Sequence, residues 1–301
     1  MSRIATVGHH LAWKTTRVDG RAAVYGEAGH GTPVLFLHGW ALGCHAYKRA
    51  LKRLAGLGCH VYAPALPEFG GTEGLPSGYR SLGDYAGWAD AFLTAVGVDE
   101  PVLVAGHSLG GGVAARLAHD FPDRVARLVL INSLGSSVWT ETPTRTRSLS
   151  ERPLWHWATS LSQDIAMSKA ALATLRAVAE DCVPNLLRNP IGLVRAGAMA
   201  RTVDLAAELV RVRQSGVPAT VVTSSGDLIV TEAAFRDLCR VLGVQGKVVP
   251  GRHSWLLSAP DEFAAVMLPV VGAATAARSA RVGVEGRVLS LFDQPTLAAR
   301  G

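Results

Sequence analysis

Short apolar runs alternate with longer stretches of helical period along this chain, the pattern expected of a mostly parallel sheet covered by helices on both faces. Residues 14–18 and 22–25, turned by Asp19-Gly20, read as an antiparallel hairpin. Further strands are predicted at 34–37, 60–63, 102–105 and 128–131, each a nearly continuous apolar run. Helices are predicted at 47–57 and 82–96; in the second, Tyr85, Trp88, Ala89, Phe92 and Val96 fall on one face. Between Asn132 and Val217 the strand signal stops, and alanine- and leucine-rich helical sequence is broken at Pro143, Pro153, Pro184 and Pro190. Strands resume at 219–223 and 247–249, with helices at 232–242 and 261–270. The predicted class is α/β, a mostly parallel doubly wound sheet. Its core comprises 1–132 and 218–271, with an inserted helical cap at 133–217 and a loosely docked tail at 272–301.

The most specific string follows the run Val102-Leu103-Val104-Ala105. Gly106-His107-Ser108-Leu109-Gly110 places a serine between a predicted strand and a predicted helix at 109–121, which Pro122 closes. A sharp strand-to-helix turn forces the serine backbone into strain, and positions two before and two after it must then be nearly free of side chain. Gly106 and Gly110 meet that need. A Gly-x-Ser-x-Gly string also arises in ordinary turns of a chain with 32 glycines; its position after a strand separates the nucleophile from the turn residue.

Reactive groups in a parallel sheet gather at the carboxyl ends of strands. Besides Ser108, three such ends carry chemistry: His38-Gly39-Trp40 after the strand at 34–37, Asp227 after 219–223, and His253 after 247–249. A serine hydroxyl needs a positioned imidazole to take its proton, and the imidazole needs a carboxylate to fix its tautomer. His253 is the predicted base and Asp227, 26 residues ahead of it, the orienting acid. Aspartate before a helix is also a common cap, and Asp204 and Asp237 are the weaker substitutes. The backbone amides of Trp40 and Leu109 are the predicted oxyanion donors. His107 reads as a structural histidine, and His38 as one that orders the oxyanion loop; with Gly39 it also borders the expected substrate pocket.

Composition narrows the alternatives. With 301 residues, 49% hydrophobic and 18% charged, disorder is not the default. Cys44, Cys59, Cys182 and Cys239 lack Cys-x-x-Cys spacing and read as reduced thiols, and no histidine pair has metal-ligand spacing, so no metal is expected. Gly110-Gly111-Gly112 lacks the Gly-Lys-Ser/Thr that a phosphate cradle requires. The net charge of +6 comes from scattered arginines, which argues against nucleic acid and leaves weak peripheral attraction to anionic lipid as the one membrane contact to test. The first 20 residues lack the apolar core of a signal peptide, and no apolar run reaches the roughly 18 residues of a bilayer span, so a cytoplasmic location is expected. Oligomeric state is not legible.

Trp139, Trp155 and Trp157 fall in the expected cap, and Trp255 lies two residues beyond His253. Most tryptophans are simply core, yet three in a cap suggest the wall of an apolar substrate pocket.

Taken with His38-Gly39-Trp40, Gly106-His107-Ser108-Leu109-Gly110-Gly111, Asp227-Leu228-Ile229-Val230 and Gly251-Arg252-His253-Ser254, the chain over about 20–271 resembles the α/β-hydrolases of the lidded serine esterase and lipase type. The resemblance implies a core of about eight strands, a cap after the sixth, no cofactor, and hydrolysis of a small apolar ester through an acyl-enzyme. Carbon-carbon hydrolysis of a ring-cleavage diketone, thioester hydrolysis and perhydrolysis use the same constellation. A non-catalytic ligand-binding module on the same fold is the reading from another class. A serine at position 108 disfavours the dehalogenase and epoxide hydrolase branches, which need a carboxylate there. One departure stands out: members often carry Asp-x-Pro-Gly-x-Gly-x-Ser after the fourth strand, where this chain has Ala65-Leu66-Pro67-Glu68-Phe69-Gly70-Gly71-Thr72.

Overall fold

The computed structural model describes residues 10–78, 81–142, 145–153, 156, 159–160, 163–164 and 171–292. Its strands are β1 (Leu11–Val18), β2 (Arg21–Ala28), β3 (Thr32–Leu37), β4 (Cys59–Pro64), β5 (Val102–His107), β6 (Val125–Ile131), β7 (Val138–Thr142), β8 (Arg145–Ser148), β9 (Ala219–Ser224) and β10 (Lys247–Val249). The helices are α1 (Lys48–Ala55), α2 (Leu82–Ala95), α3 (Leu109–Asp120), α4 (Ala171–Arg188), α5 (Pro190–Arg201), α6 (Ala206–Gln214), α7 (Glu232–Leu242), α8 (Trp255–Ser258) and α9 (Pro260–Phe292).

Eight strands form one sheet in the order β1-β2-β4-β3-β5-β6-β9-β10. Only β2 runs against its neighbours; β4, β3, β5, β6, β9 and β10 pair in parallel. The β1–β2 hairpin closes through Asp19 and Gly20, both at positive φ (49° and 78°), the geometry whose twist matches paired strands. Strands β3 and β5 are buried along their whole length, as their unbroken apolar runs require. Their side chains alternate between two cores. Val34 and Phe36 join Leu51, Leu54, Phe263 and Met267 on the face covered by α1 and α9, whereas Leu35 and Leu37 join Phe92, Leu117 and Leu238 on the face covered by α2, α3 and α7. Helix α2 begins at a capping box, Ser81 Oγ accepting from the Asp84 amide while the Asp84 carboxylate accepts from the Ser81 amide.

Between β6 and β9 the chain leaves the sheet. This insert is not wholly helical: β7 and β8 form a two-stranded antiparallel hairpin, whose mixed Thr/Arg/Ser composition gives no apolar alternation to read. Pro184 lies inside α4 instead of ending it, and Pro190 occupies the first turn of α5, where an amide hydrogen would have no helical partner. Helix α4 has two faces. Thr174, Val178, Asp181 and Asn185 are buried against the core, while Leu172, Leu175, Val183, Leu186 and Leu187 are exposed, as are Ile191 and Val194 of α5.

The segment expected as a loose tail is largely helical, because α9 continues through Phe292. Pro260–Arg281 is, by length and composition, apolar enough to cross a membrane, which corrects the reading that no such stretch exists. Its charges sit at the ends, and the alanine- and valine-rich middle escapes a search for contiguous bulky residues. Phe263, Val266, Met267, Val270, Val271 and Ala274 of this helix are buried in the core.

Candidate active site

Ser108 stands between β5 and α3 with φ 55° and ψ −117°, a conformation that side chains rarely adopt. Its flanking glycines leave no room for a methyl group. A Cβ on Gly106 would lie 2.2 Å from Gly110 O, and one on Gly110 would lie 2.3 Å from Leu37 O and 2.5 Å from His38 O. The strain is held by neighbouring strands: Ser108 N donates to Ile131 O at 3.0 Å, and Ser108 O accepts from Leu134 N at 3.1 Å.

Asp227 and His253 meet at the ends of β9 and β10. His253 Nδ1 donates to Asp227 Oδ2 at 2.9 Å, which leaves Nε2 as the nitrogen able to accept a proton. Asp227 is otherwise saturated: Oδ2 also accepts from Asn132 Nδ2 at 2.7 Å, and Oδ1 accepts from the amides of Ile229 (2.7 Å) and Val230 (2.9 Å). Burial alone would push the Asp227 carboxyl up; His253 and these donors hold it below the usual carboxylate range. Burial likewise pulls on the His253 imidazole, and the Asp227 charge and hydrogen bond hold it above its ordinary value of 6.5. Among the described residues Ser108 Oγ makes no hydrogen bond to His253. The two are joined through His107, whose ring centroid is 4.8 Å from that of His253 and whose Nε2 donates to His253 O at 3.0 Å. Such bonds are often loose without substrate.

His107 is the centre of a directed chain of bonds. Its Nε2 carries the proton given to His253 O, so its Nδ1 accepts from the Tyr47 hydroxyl at 2.8 Å, and that oxygen accepts from Gly39 N at 3.1 Å. Burial drives the His107 imidazole down to about 3, so it stays neutral. The chain ties the loop after β3 to the serine turn and to the His253 loop. His38 is also fully buried: Nε2 accepts from Leu66 N at 2.8 Å and Nδ1 donates to Gly39 O at 2.8 Å, which places it under the loop as a support and not on a pocket wall. Neither the Trp40 nor the Leu109 amide donates to another protein group among the described residues, so both stay available to an incoming oxygen.

The insert grips this loop. Asp181 Oδ2 accepts from Gly43 N (2.9 Å) and Ala46 N (2.7 Å), Asn185 bridges Ala41 O (3.0 Å) and Gly70 N (2.8 Å), and the Trp40 indole donates to Leu193 O at 2.8 Å. The departure after β4 is thereby accommodated: Glu68 takes positive φ and accepts from Asn189 Nδ2, and the Leu66 amide holds His38.

The tryptophans fall out differently from expectation. Trp255 is 2% exposed and donates from Nε1 to Asn132 Oδ1 at 2.8 Å, so it props the residue that props Asp227. Trp139 is 4% exposed and packs against His156 and the Arg152 guanidinium. Both are wedged inside the protein instead of facing a ligand. Trp155 and Trp157 lie outside the described residues. A cavity of about 790 Å³ opens between the start of α2, the loop after β4 and α5, lined by Leu75, Leu82, Tyr85, Met199, Val203 and Leu205 together with Glu68, Arg116 and Arg195. It does not include Ser108, Asp227 or His253, but Leu82 on its wall also faces Gly112, in the first turn after Ser108. The substitutes are engaged elsewhere: Asp237 accepts from Ser136 and pairs with Arg240, and Asp204 accepts from Ala206 N.

Asn132 is the residue the sequence reading missed. It sits at the end of β6 with φ 43°, fully buried, and its amide connects Asp227, Ser224 and Trp255. A lone asparagine directly after the apolar run Leu128-Val129-Leu130-Ile131, at a strand's carboxyl end, was the available signal.

Known proteins share this fold. A protein of Mycobacterium phage D29 named for non-heme haloperoxidase activity is 25% identical over 257 residues, covering 81% of this chain and 88% of its own. A thermophilic esterase from Thermogutta terrifontis shares the fold with a TM-score of 0.68 at 18% identity, over 88% of this chain and 99% of its own. So does a meta-cleavage product hydrolase from Pseudomonas fluorescens IP01, with a TM-score of 0.67 at 19% identity over 87% and 98%. The model of the alpha/beta hydrolase family matches residues 34–266, most of the sheet and everything at its carboxyl ends, and the chain therefore belongs to that family.

Proposed function

We propose that this chain is a serine hydrolase that cleaves a carboxylic ester with an apolar acyl or alcohol part through an acyl-enzyme. The observation that carries the reading is the buried 2.9 Å His253–Asp227 pair, joined through His107 to a serine held at φ 55°. Ser108 Oγ attacks the ester carbonyl as His253 Nε2 takes its proton. The amides of Trp40 and Leu109 receive the oxyanion, Asp227 stabilises the imidazolium, and His253 returns the proton to the departing alcohol. Water, deprotonated by the same nitrogen, then releases the acid and regenerates Ser108.

The apolar preference is supported by Leu75, Leu82, Met199, Val203 and Leu205 on the cavity wall, not by the tryptophans. Glu68, Arg116 and Arg195, which also line the cavity, favour a substrate with one polar end. Rising kcat/KM from acetate to longer acyl esters is the expected result, and a flat or falling series would remove the apolar pocket from the account. Labelling of Ser108 by a fluorophosphonate, lost in Ser108→Ala, separates a hydrolase from a binding module on the same fold. The outward apolar residues of α4 and α5, with Arg176, Arg188 and Arg195 nearby, suit peripheral contact with anionic lipid.

A further inference from the structure

Two buried charges from the insert converge on the acid–base end of the site. Arg152 is fully buried; its Nη1 donates to Ile229 O and its Nη2 to Leu228 O, each at 2.7 Å. Those carbonyls belong to the two peptide units whose other ends, the amides of Ile229 and Val230, hold Asp227 Oδ1 at 2.7 and 2.9 Å. Each peptide dipole thus has its oxygen on the guanidinium and its hydrogen on the carboxylate, so the cation polarises both donors toward Asp227. Nε and Nη2 are further placed by His156 Nδ1 (3.0 Å) and Ser160 Oγ (2.8 Å). Asp164, also fully buried, accepts from the backbone amides of His253, by Oδ1, and Ser254, by Oδ2. The His253 backbone is therefore held at its N–H by the insert and at its C=O by His107.

We propose that Arg152 and Asp164 are positioning residues that clamp the Asp227 and His253 loops, so that the acid–base pair is aligned by the seated insert. The inference rests on the hydrolase reading above and deepens it. An arginine that merely glued the insert to the core would do so with any orientation; this one meets the two carbonyls whose peptides serve the carboxylate. The charges facing His253 are Asp227 and Asp164, which favour its protonated form, and Arg152, which disfavours it; His107 stays neutral.

The test is the pH dependence of fluorophosphonate labelling of Ser108, alongside NMR titration of the His253 imidazole, in Arg152→Met, Arg152→Lys and Asp164→Asn. Neutral His253 is the active form, so the rate rises with pH through its pKa. Removing the Arg152 cation shifts that limb to higher pH; removing the Asp164 charge shifts it to lower pH. Arg152→Met should also slow labelling about 10- to 100-fold through misplacement of the pair. Arg152→Lys keeps the charge but cannot span both carbonyls, so the limb stays in place while the rate falls. Wild-type rates and limbs in Arg152→Met and Asp164→Asn, or limbs that move in the same direction, would overturn the proposal. Lysine and asparagine are close enough in shape to keep the question open to test if the methionine variant does not fold. If the wild type is not labelled, the hydrolase reading fails, and the His253 titration alone decides whether the two charges act as stated.

Discussion

At Asp227 a single carboxylate collects four donors, from His253, Asn132 and the amides of Ile229 and Val230, while staying fully ionised in a buried place. The consequence for pH has a definite sign. Its folded pKa lies below the ordinary 3.8, so its contribution to stability is present above that value and is lost as pH falls through the folded pKa. His253 is opposite: its pKa is raised above 6.5, so its contribution is full below that value and is lost as pH rises through the folded pKa. In the proposed mechanism, the rate is expected to climb with pH above the ordinary histidine range. Asp227→Asn is expected to lower kcat by about 10⁴-fold, by allowing the wrong tautomer, and to move the rising limb of the kcat/KM profile to lower pH. An unchanged profile would assign the orienting role elsewhere. Among single residues, the Asp227–His253 pairing and the strained turn at Ser108 were legible because a chemical requirement and a strand end coincided. Asn132, Arg152 and Asp164 were not, since their partners are distant backbone atoms that no local pattern announces.

Elements show the same division. Strands β3 and β5 were readable from their apolar runs because burial on both faces leaves no choice of residue. The β7–β8 hairpin and the length of α9 were not, because the first is polar and the second runs on past Val271 through a stretch of glycine, alanine, threonine, serine and arginine with no bulky apolar residue. Helix α4 shows how an inserted element comes to serve the core: Asp181 and Asn185, four residues apart on one face, hold Gly43, Ala46, Ala41 and Gly70. Ala41 takes φ 65°, which needs outside support. Asn185→Ala should leave a buried carbonyl and amide unpaired, costing about 2 kcal/mol in denaturant unfolding. It should also lower kcat about tenfold with little change in KM, as the Trp40 amide loosens where the oxyanion charge develops. Unchanged stability and kcat would mean that the loop supports itself.

Across the whole molecule, the parallel sheet brings β3, β5, β9 and β10 to one edge of reactive loops, and the insert returns over that edge through α4, Arg152 and Asp164. The acid–base pair and the oxyanion loop are each tied both to the sheet and to the insert, and His107 with Tyr47 links the two halves. The geometry of the proposed site is therefore a property of the assembled chain and not of any one loop. The most direct test is rapid acid quenching of the enzyme during turnover of an activated apolar ester, followed by intact-mass measurement and peptide mapping. The account predicts the acyl group on Ser108, appearing before steady state and absent in Ser108→Ala. Ester hydrolysis that persists at the wild-type rate in Ser108→Ala, or an acyl group carried on another residue, would contradict it.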